Sequence, residues 1–207
     1  GHEIVEPVGS LVPLTAAGED CARMQGLSLR NVGVKLLDSR GKCVYRDFGE
    51  LLFTHFGLSG PTVLSSSSHL ANAGPYRLAI DFKPALEEGK LDARLLRDLD
   101  IYKNRTMANA MTDLLRRSAI PVLLDRAGIA GDLPANALTR QQRRALVAVL
   151  KGFTLEITGK RPVAEAIVTS GGVKTAQVNP KTMESRLVPG LYFAGEVLDV
   201  DAYTGGF

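Results

Sequence analysis

The spacing of hydrophobic residues changes at Pro84 and changes back at Gly152, and this pair of switches limits what the chain can fold into. Before Pro84, apolar residues alternate: Leu27, Leu29, Val32, Val34 and Leu36, then Cys43, Val44 and Tyr45 beyond the turn Asp38–Gly41. Alternation turns one face of an extended strand toward a core, so two such runs around a Ser/Gly turn predict a β-hairpin. Gly49–Glu50 opens a third run, Leu51–Thr54, which the Gly57–Pro61 cluster ends. Pro61 suits the first turn of a helix through Thr62 to Leu70, and Tyr76–Phe82 alternates again.

After Pro84, Leu91, Leu95, Leu96 and Leu99, and then Met107, Met111, Leu114 and Leu115, recur at three- and four-residue steps. That spacing marks one face of a helix. Pro121 restarts a helix that Gly128 and Gly131 stop, and Thr139 is a candidate N-cap for a helix over 140–150. Phe153–Thr158 returns to alternation, and Val163–Thr169 brings the chain back. The expected fold is α+β: a β-rich, barrel-like body from residues 15–83 and 152–168, with residues 84–151 as an excisable helical insertion. Residues 1–14, with Pro7 and Pro13 in an extended idiom, read as a linker or edge strand.

A hydrophobic share of 45% supplies a core, and a net charge of +3 does not by itself imply nucleic acid. Cys21 and Cys43 lie far apart without a C-x-x-C, and His2, His55 and His69 are scattered, so neither a disulfide framework nor a metal centre is predicted. No apolar run approaches the roughly 20 residues of a membrane span, and no signal-like N-terminus is present. The cytoplasm is the expected compartment.

The last forty residues hold the strongest functional signal. Gly190–Gly195 (GLYFAG) is a short apolar run closed by glycine and followed by Glu196, which predicts a buried parallel strand delivering a tight ligand-binding turn. Gly171-Gly172 follows another β-rich run, and Gly205-Gly206 stands near the last residue. Three glycine sites so close in sequence suggest one ligand.

The order of Thr169–Val173 (TSGGV), Pro189–Glu196 (PGLYFAGE) and Tyr203–Phe207 (YTGGF) resembles the C-terminal flavin-binding half of flavoproteins with two dinucleotide-binding domains. Gly49–Pro61 (GELLFTHFGLSGP) and Gly195–Asp201 (GEVLDVD) are similar to signatures of the HI0933-like (YhiN-type) bacterial flavoproteins, and the likeness extends over essentially the whole chain. The resemblance implies FAD as cofactor, NAD(P)H as an available reductant and a small-molecule substrate. It makes residues 169–207 an incomplete C-terminal part of a Rossmann-like FAD-binding domain and residues 1–14 a crossover from that domain. One departure matters: no G-x-G-x-x-G opens the chain, so the expected partner is an N-terminal FAD-binding segment of the same protein, and the chain alone is expected to be inactive.

On this resemblance Gly171, Gly172, Gly205 and Gly206 line the flavin ring, Gly195 forms the turn, and Glu196 accepts hydrogen bonds from ribityl hydroxyls, with Asp199 beside it. The bland alternatives are ordinary glycine turns and an acid placed at a helix N-terminus. His55 lies in a loop between a strand and a helix start and is the candidate catalytic proton carrier, against the alternative of a purely structural histidine. Lys103, Arg105, Arg116, Arg117, Arg140, Arg143 and Arg144 make the helical segment basic. A solvated face is the favoured reading and nucleic acid is not expected, while a non-catalytic module that uses this face on an anionic partner is the rival to the flavoenzyme.

Overall fold

In the computed structural model, which describes residues 1–70 and 75–203, the alternating runs close into a barrel. The chain opens with β1 (Ile4–Ser10), β2 (Leu14–Ala16) and a one-turn helix α1 (Asp20–Arg23). The hairpin β3 (Ser28–Leu37) and β4 (Cys43–Phe53) follows, and then β5 (Gly57–Ser59), α2 (Pro61–Ser67) and β6 (Tyr76–Asp81). Four helices come next: α3 (Glu88–Ile101), α4 (Met107–Ala110), α5 (Ile120–Arg126) and α6 (Arg140–Lys151). β7 (Phe153–Lys160) and β8 (Val168–Val173) complete the regular elements. Six strands form the closed barrel in the order β2-β5-β4-β3-β6-β7, and β7 pairs back onto β2. The class is α+β, with the barrel and inserted helices that the two changes of period predict.

Local chemistry explains the joints. Asp38 caps the hairpin turn by accepting the backbone N–H groups of Arg40 and Lys42, each at 2.9 Å. At Gly57, with φ +154°, an added Cβ would stand 2.2 Å from the Leu14 carbonyl oxygen, so only glycine lets β5 lie against β2 and close the barrel. The α6 helix begins with a reciprocal cap: the Gln142 N–H donates to Thr139 Oγ1 at 3.2 Å, and the Thr139 N–H donates to Gln142 Oε1 at 3.1 Å.

A single apolar core runs from the barrel interior into the helices, joining Val34, Phe53, Leu78 and Phe153 to Leu91, Met107, Leu123 and Leu150. The Phe82 and Phe153 rings meet edge to face at 5.7 Å. The Phe82 N–H donates to the Leu150 carbonyl, and the Arg126 guanidinium lies 5.3 Å from the centre of the Phe153 ring. A much smaller second core, Val173, Val178 and Leu198 with Met183 and Phe193, holds the C-terminal segment.

Three expectations change. The third run is no separate strand, because β4 continues through Gly49 to Phe53 and pairs with β3 from Cys43 to Leu52, with irregularities between Leu29 and Val32 and between Leu36 and Leu37. The segment after β7 does not return to the barrel: residues 163–165 form a 3-10 turn, and β8 pairs antiparallel with β1 as a separate two-stranded sheet. Gly190–Gly195 is not a buried strand either. Its ladder contact among the described residues is one isolated bridge, Glu184 to Tyr192, and the Tyr192 side chain is 60% exposed. An apolar extended run is buried only when strands flank it, and no strand of the described chain does so here.

Candidate functional site

Glu196 occupies a 3-10 turn, Gly195–Val197, that the second core holds beside β8. Val173 and Leu198 form a parallel bridge, and the Asp199 N–H donates to the Val173 carbonyl at 2.8 Å. The structure therefore brings Gly172 and the Gly195–Asp199 turn together although more than twenty residues separate them in sequence. Ser10 donates to Asp201 Oδ2 at 2.7 Å, which ties the end of the turn to β1.

The glycines differ in what they accommodate. Gly171 and Gly172 have φ of +109° and +130°, and an added Cβ would meet the Glu6 carbonyl oxygen at 2.6 Å and the Val197 carbonyl oxygen at 2.5 Å, respectively. Close approach of the chain's own backbone accounts for both. Gly195 has φ +72° with nothing within 4 Å of its Cβ position, so its missing side chain leaves open space. Glu196 is exposed and Asp199 half-buried, and among the described residues neither carboxylate has a hydrogen-bond or ion-pair partner. An open positive-φ glycine followed by two free acceptor groups suits a ligand rich in hydroxyls, and in that respect the turn fits a flavin's ribityl chain. Gly205 and Gly206 lie outside the described residues.

His55 sits in the tight turn between β4 and β5, exposed, with its ring edge-on to Phe56 at 5.0 Å. No hydrogen bond to another described residue orients the imidazole. A more connected histidine escaped the sequence reading. His69 Nε2 lies 2.5 Å from the Tyr203 hydroxyl, and its ring stacks on Tyr45 at 4.7 Å. The Tyr45 hydroxyl donates to Asp47 Oδ2 at 2.7 Å, and burial followed by this bond pushes the phenol far above its ordinary range. The pair ties Tyr203 to the turn that follows α2, and a separation of 134 residues leaves no local signal by which to find it.

The basic residues of the helical segment differ in their partners. Arg143 is paired with Asp92 at 2.6 Å, and Arg105 lies over the Tyr102 ring, whereas Arg116 and Arg117 have no acidic partner among the described residues.

Residues 8–168 match the family model described as the HI0933-like protein barrel and H2TH domain. The whole chain aligns with a 3-dehydro-bile acid delta(4,6)-reductase of Clostridium scindens at 32% identity, over 51% of that protein. It also aligns with ribosomal RNA dihydrouridine synthases of Escherichia coli, at 31% identity over 52% of that protein, and of Haemophilus influenzae, at 30% over 49%. The chain spans about half the length of the curated relatives it matches.

Proposed function

The chain belongs to the HI0933-like family, and from that membership we propose that it is the barrel-and-helix part of a flavin-dependent oxidoreductase that reduces a carbon–carbon double bond conjugated to a carbonyl group. The two activities named among its relatives share that chemistry. A 3-oxo steroid with a Δ4 double bond and a uracil ring both carry an alkene activated by a neighbouring carbonyl. Reduction adds a hydride at one alkene carbon and a proton at the other, with the carbonyl drawing charge away from the reacting bond.

FAD, when bound, supplies the hydride chemistry. The single observation that carries the reading is the Gly195–Asp199 turn, whose bare glycine and unpartnered carboxylates support a ligand contact in which Glu196 and Asp199 accept hydrogen bonds from hydroxyl groups. Gly172 lets β8 lie close to this turn, and Gly171 lets β8 lie against β1, so the pair supports the placing of the turn. His55 is proposed as the group that carries the proton, because it is an imidazole open to solvent on the barrel. The free thiols Cys21 and Cys43 support a cytoplasmic setting.

The test is the absorbance spectrum of the full-length protein as purified. A stoichiometric flavin band that bleaches under anaerobic reduction and returns on adding an enone is expected. A colourless full-length protein that takes up no FAD would overturn the proposal in favour of a non-catalytic binding module.

A further inference from the structure

A cavity of about 1110 Å³ opens between the barrel and the helices and shares no lining residue with the Gly195 turn. One wall is Gly26–Val32, which includes the first half of β3, together with Phe82 and Lys83 after β6. The rest is Thr112–Ala119, the segment between α4 and α5. Both the barrel and the helical segment contribute cations: Arg30 and Lys83 from the first, Arg116 and Arg117 from the second. None of the four side chains has an acidic partner among the described residues. The cavity's one carboxylate, on Asp113, accepts the Tyr102 hydroxyl.

The arrangement disfavours the charged form of Lys83. Lys83 is half-buried, and burial, then the charges of Arg94 and Arg116, hold its ammonium below its usual range, whereas Arg30, Arg116 and Arg117 are exposed at the mouth of the cleft. A bound anion would offset the repulsion and favour the charged ammonium. Small-molecule sites are mostly apolar and run to roughly 300–1,000 Å³. This cleft is at least as large, and polar side chains such as Asn31 and Ser118 line it together with its cations. A guanidinium matches a phosphate with two parallel donors, and unpaired arginines spread along a polar cleft suit a ligand that repeats its charge.

We propose that this cleft binds the phosphodiester backbone of an RNA strand, with Arg30, Arg116 and Arg117 each taking a phosphate and Lys83 adding charge from the barrel side. The choice of RNA rests on the reductase reading above: of the substrates that satisfy its chemistry, a uracil ring in RNA arrives with a run of phosphates. Binding itself needs no flavin. The cleft departs from the sequence expectation of a merely solvated basic face.

The experiment is fluorescence anisotropy of a 5′-fluorescein single-stranded 20-nucleotide RNA titrated with this chain, without flavin, over a range of salt concentrations. Four neutralising cations, the three arginines and Lys83, predict a slope of log affinity on log salt of about −3, from roughly −0.7 per charge on a single strand. The double variant R116Q/R117Q is expected to weaken binding at least tenfold and flatten the slope by about 1.4, with an unchanged melting temperature. R140Q/R144Q removes the same charge from α6, away from the cleft, and is expected to bind as the parent does. No binding at low salt, equal weakening by the α6 pair, or equally tight binding of poly-glutamate would overturn the proposal. A flavin-loaded full-length protein that ignores RNA would sink the cleft and leave the flavin reading intact; a flavin-free one that binds RNA would do the reverse.

Discussion

At the scale of single residues, Glu196 and His55 test different halves of the proposed chemistry. In the full-length protein, Glu196→Ala should lower FAD affinity by about one to two decades, because a hydrogen bond to a charged group contributes about 1.5–3 kcal/mol. The melting temperature of the flavin-free form should not move, since Glu196 is exposed and its carboxylate has no hydrogen-bond or ion-pair partner in the described chain. His55→Ala should leave FAD content intact and slow flavin reoxidation by an enone by a factor on the order of 10²–10⁴. An unaltered rate in stopped-flow would assign His55 to structure. Cys21 gives a pH test of the fold. Burial first, and then Asp20, raises its thiol from 9.0 to about 12. The folded state therefore keeps a proton that the unfolded state gives up, so this stabilising contribution is full below about pH 9 and is lost as the pH rises toward about 12. Cys21→Ala should flatten the decline in melting temperature over that window, and an equally steep decline would show that other groups cause it.

At the scale of elements, what could be read in the sequence depended on whether its cause was local. Thr139 and Gln142 stand three apart and cap α6 with each other, so the helix start was legible, as was the Pro61 start of α2. Thr139→Ala should lower stability by about 1 kcal/mol by leaving the first-turn N–H of Gln142 without its acceptor, measurable by urea denaturation. Thr139→Ser should restore it. The partner of β8 was not legible, because a β-rich run before Gly171 predicts a strand without naming its neighbour. The antiparallel register Ile4↔Val173 to Ser10↔Val168 brings together segments that lie at opposite ends of the chain. Gly190–Gly195 failed for a related reason: its apolar run matches a buried strand, but burial is conferred by flanking strands, which the run itself does not supply. The basic cleft was only half visible. Arg116 and Arg117 stood out in the helical segment, whereas Arg30 and Lys83 come from the barrel and belong with them only after folding.

At the scale of the whole molecule, the two changes of period mark where secondary structure changes but not where the core divides. Excision of residues 84–151 with a short Gly/Ser bridge from Lys83 to Gly152 looked harmless from the sequence, because strands and helices separate there. In the fold, Leu91, Leu95, Leu123, Leu146 and Leu150 of the helices belong to the same buried cluster as Leu36, Phe53, Leu78 and Ile80 of the barrel. Polar contacts cross the same boundary: Lys151 pairs with Asp81 at 2.6 Å, Arg126 with Asp20 at 2.6 Å, and Arg23 with Asp125 at 2.5 Å. Removing the helices would bare Phe82 and Phe153, which are 6% and 2% exposed, and the loss of each large apolar side chain's burial costs about 1.5–3 kcal/mol. A few such losses equal the 5–15 kcal/mol that holds a typical domain together. The excised chain should therefore show no cooperative thermal transition and should bind a hydrophobic dye, whereas the intact chain melts in one step through the barrel and helices. A cooperative melt with a β-type circular dichroism spectrum after excision would mean that the barrel stabilises itself, and that the shared apolar cluster adds to a fold it does not decide.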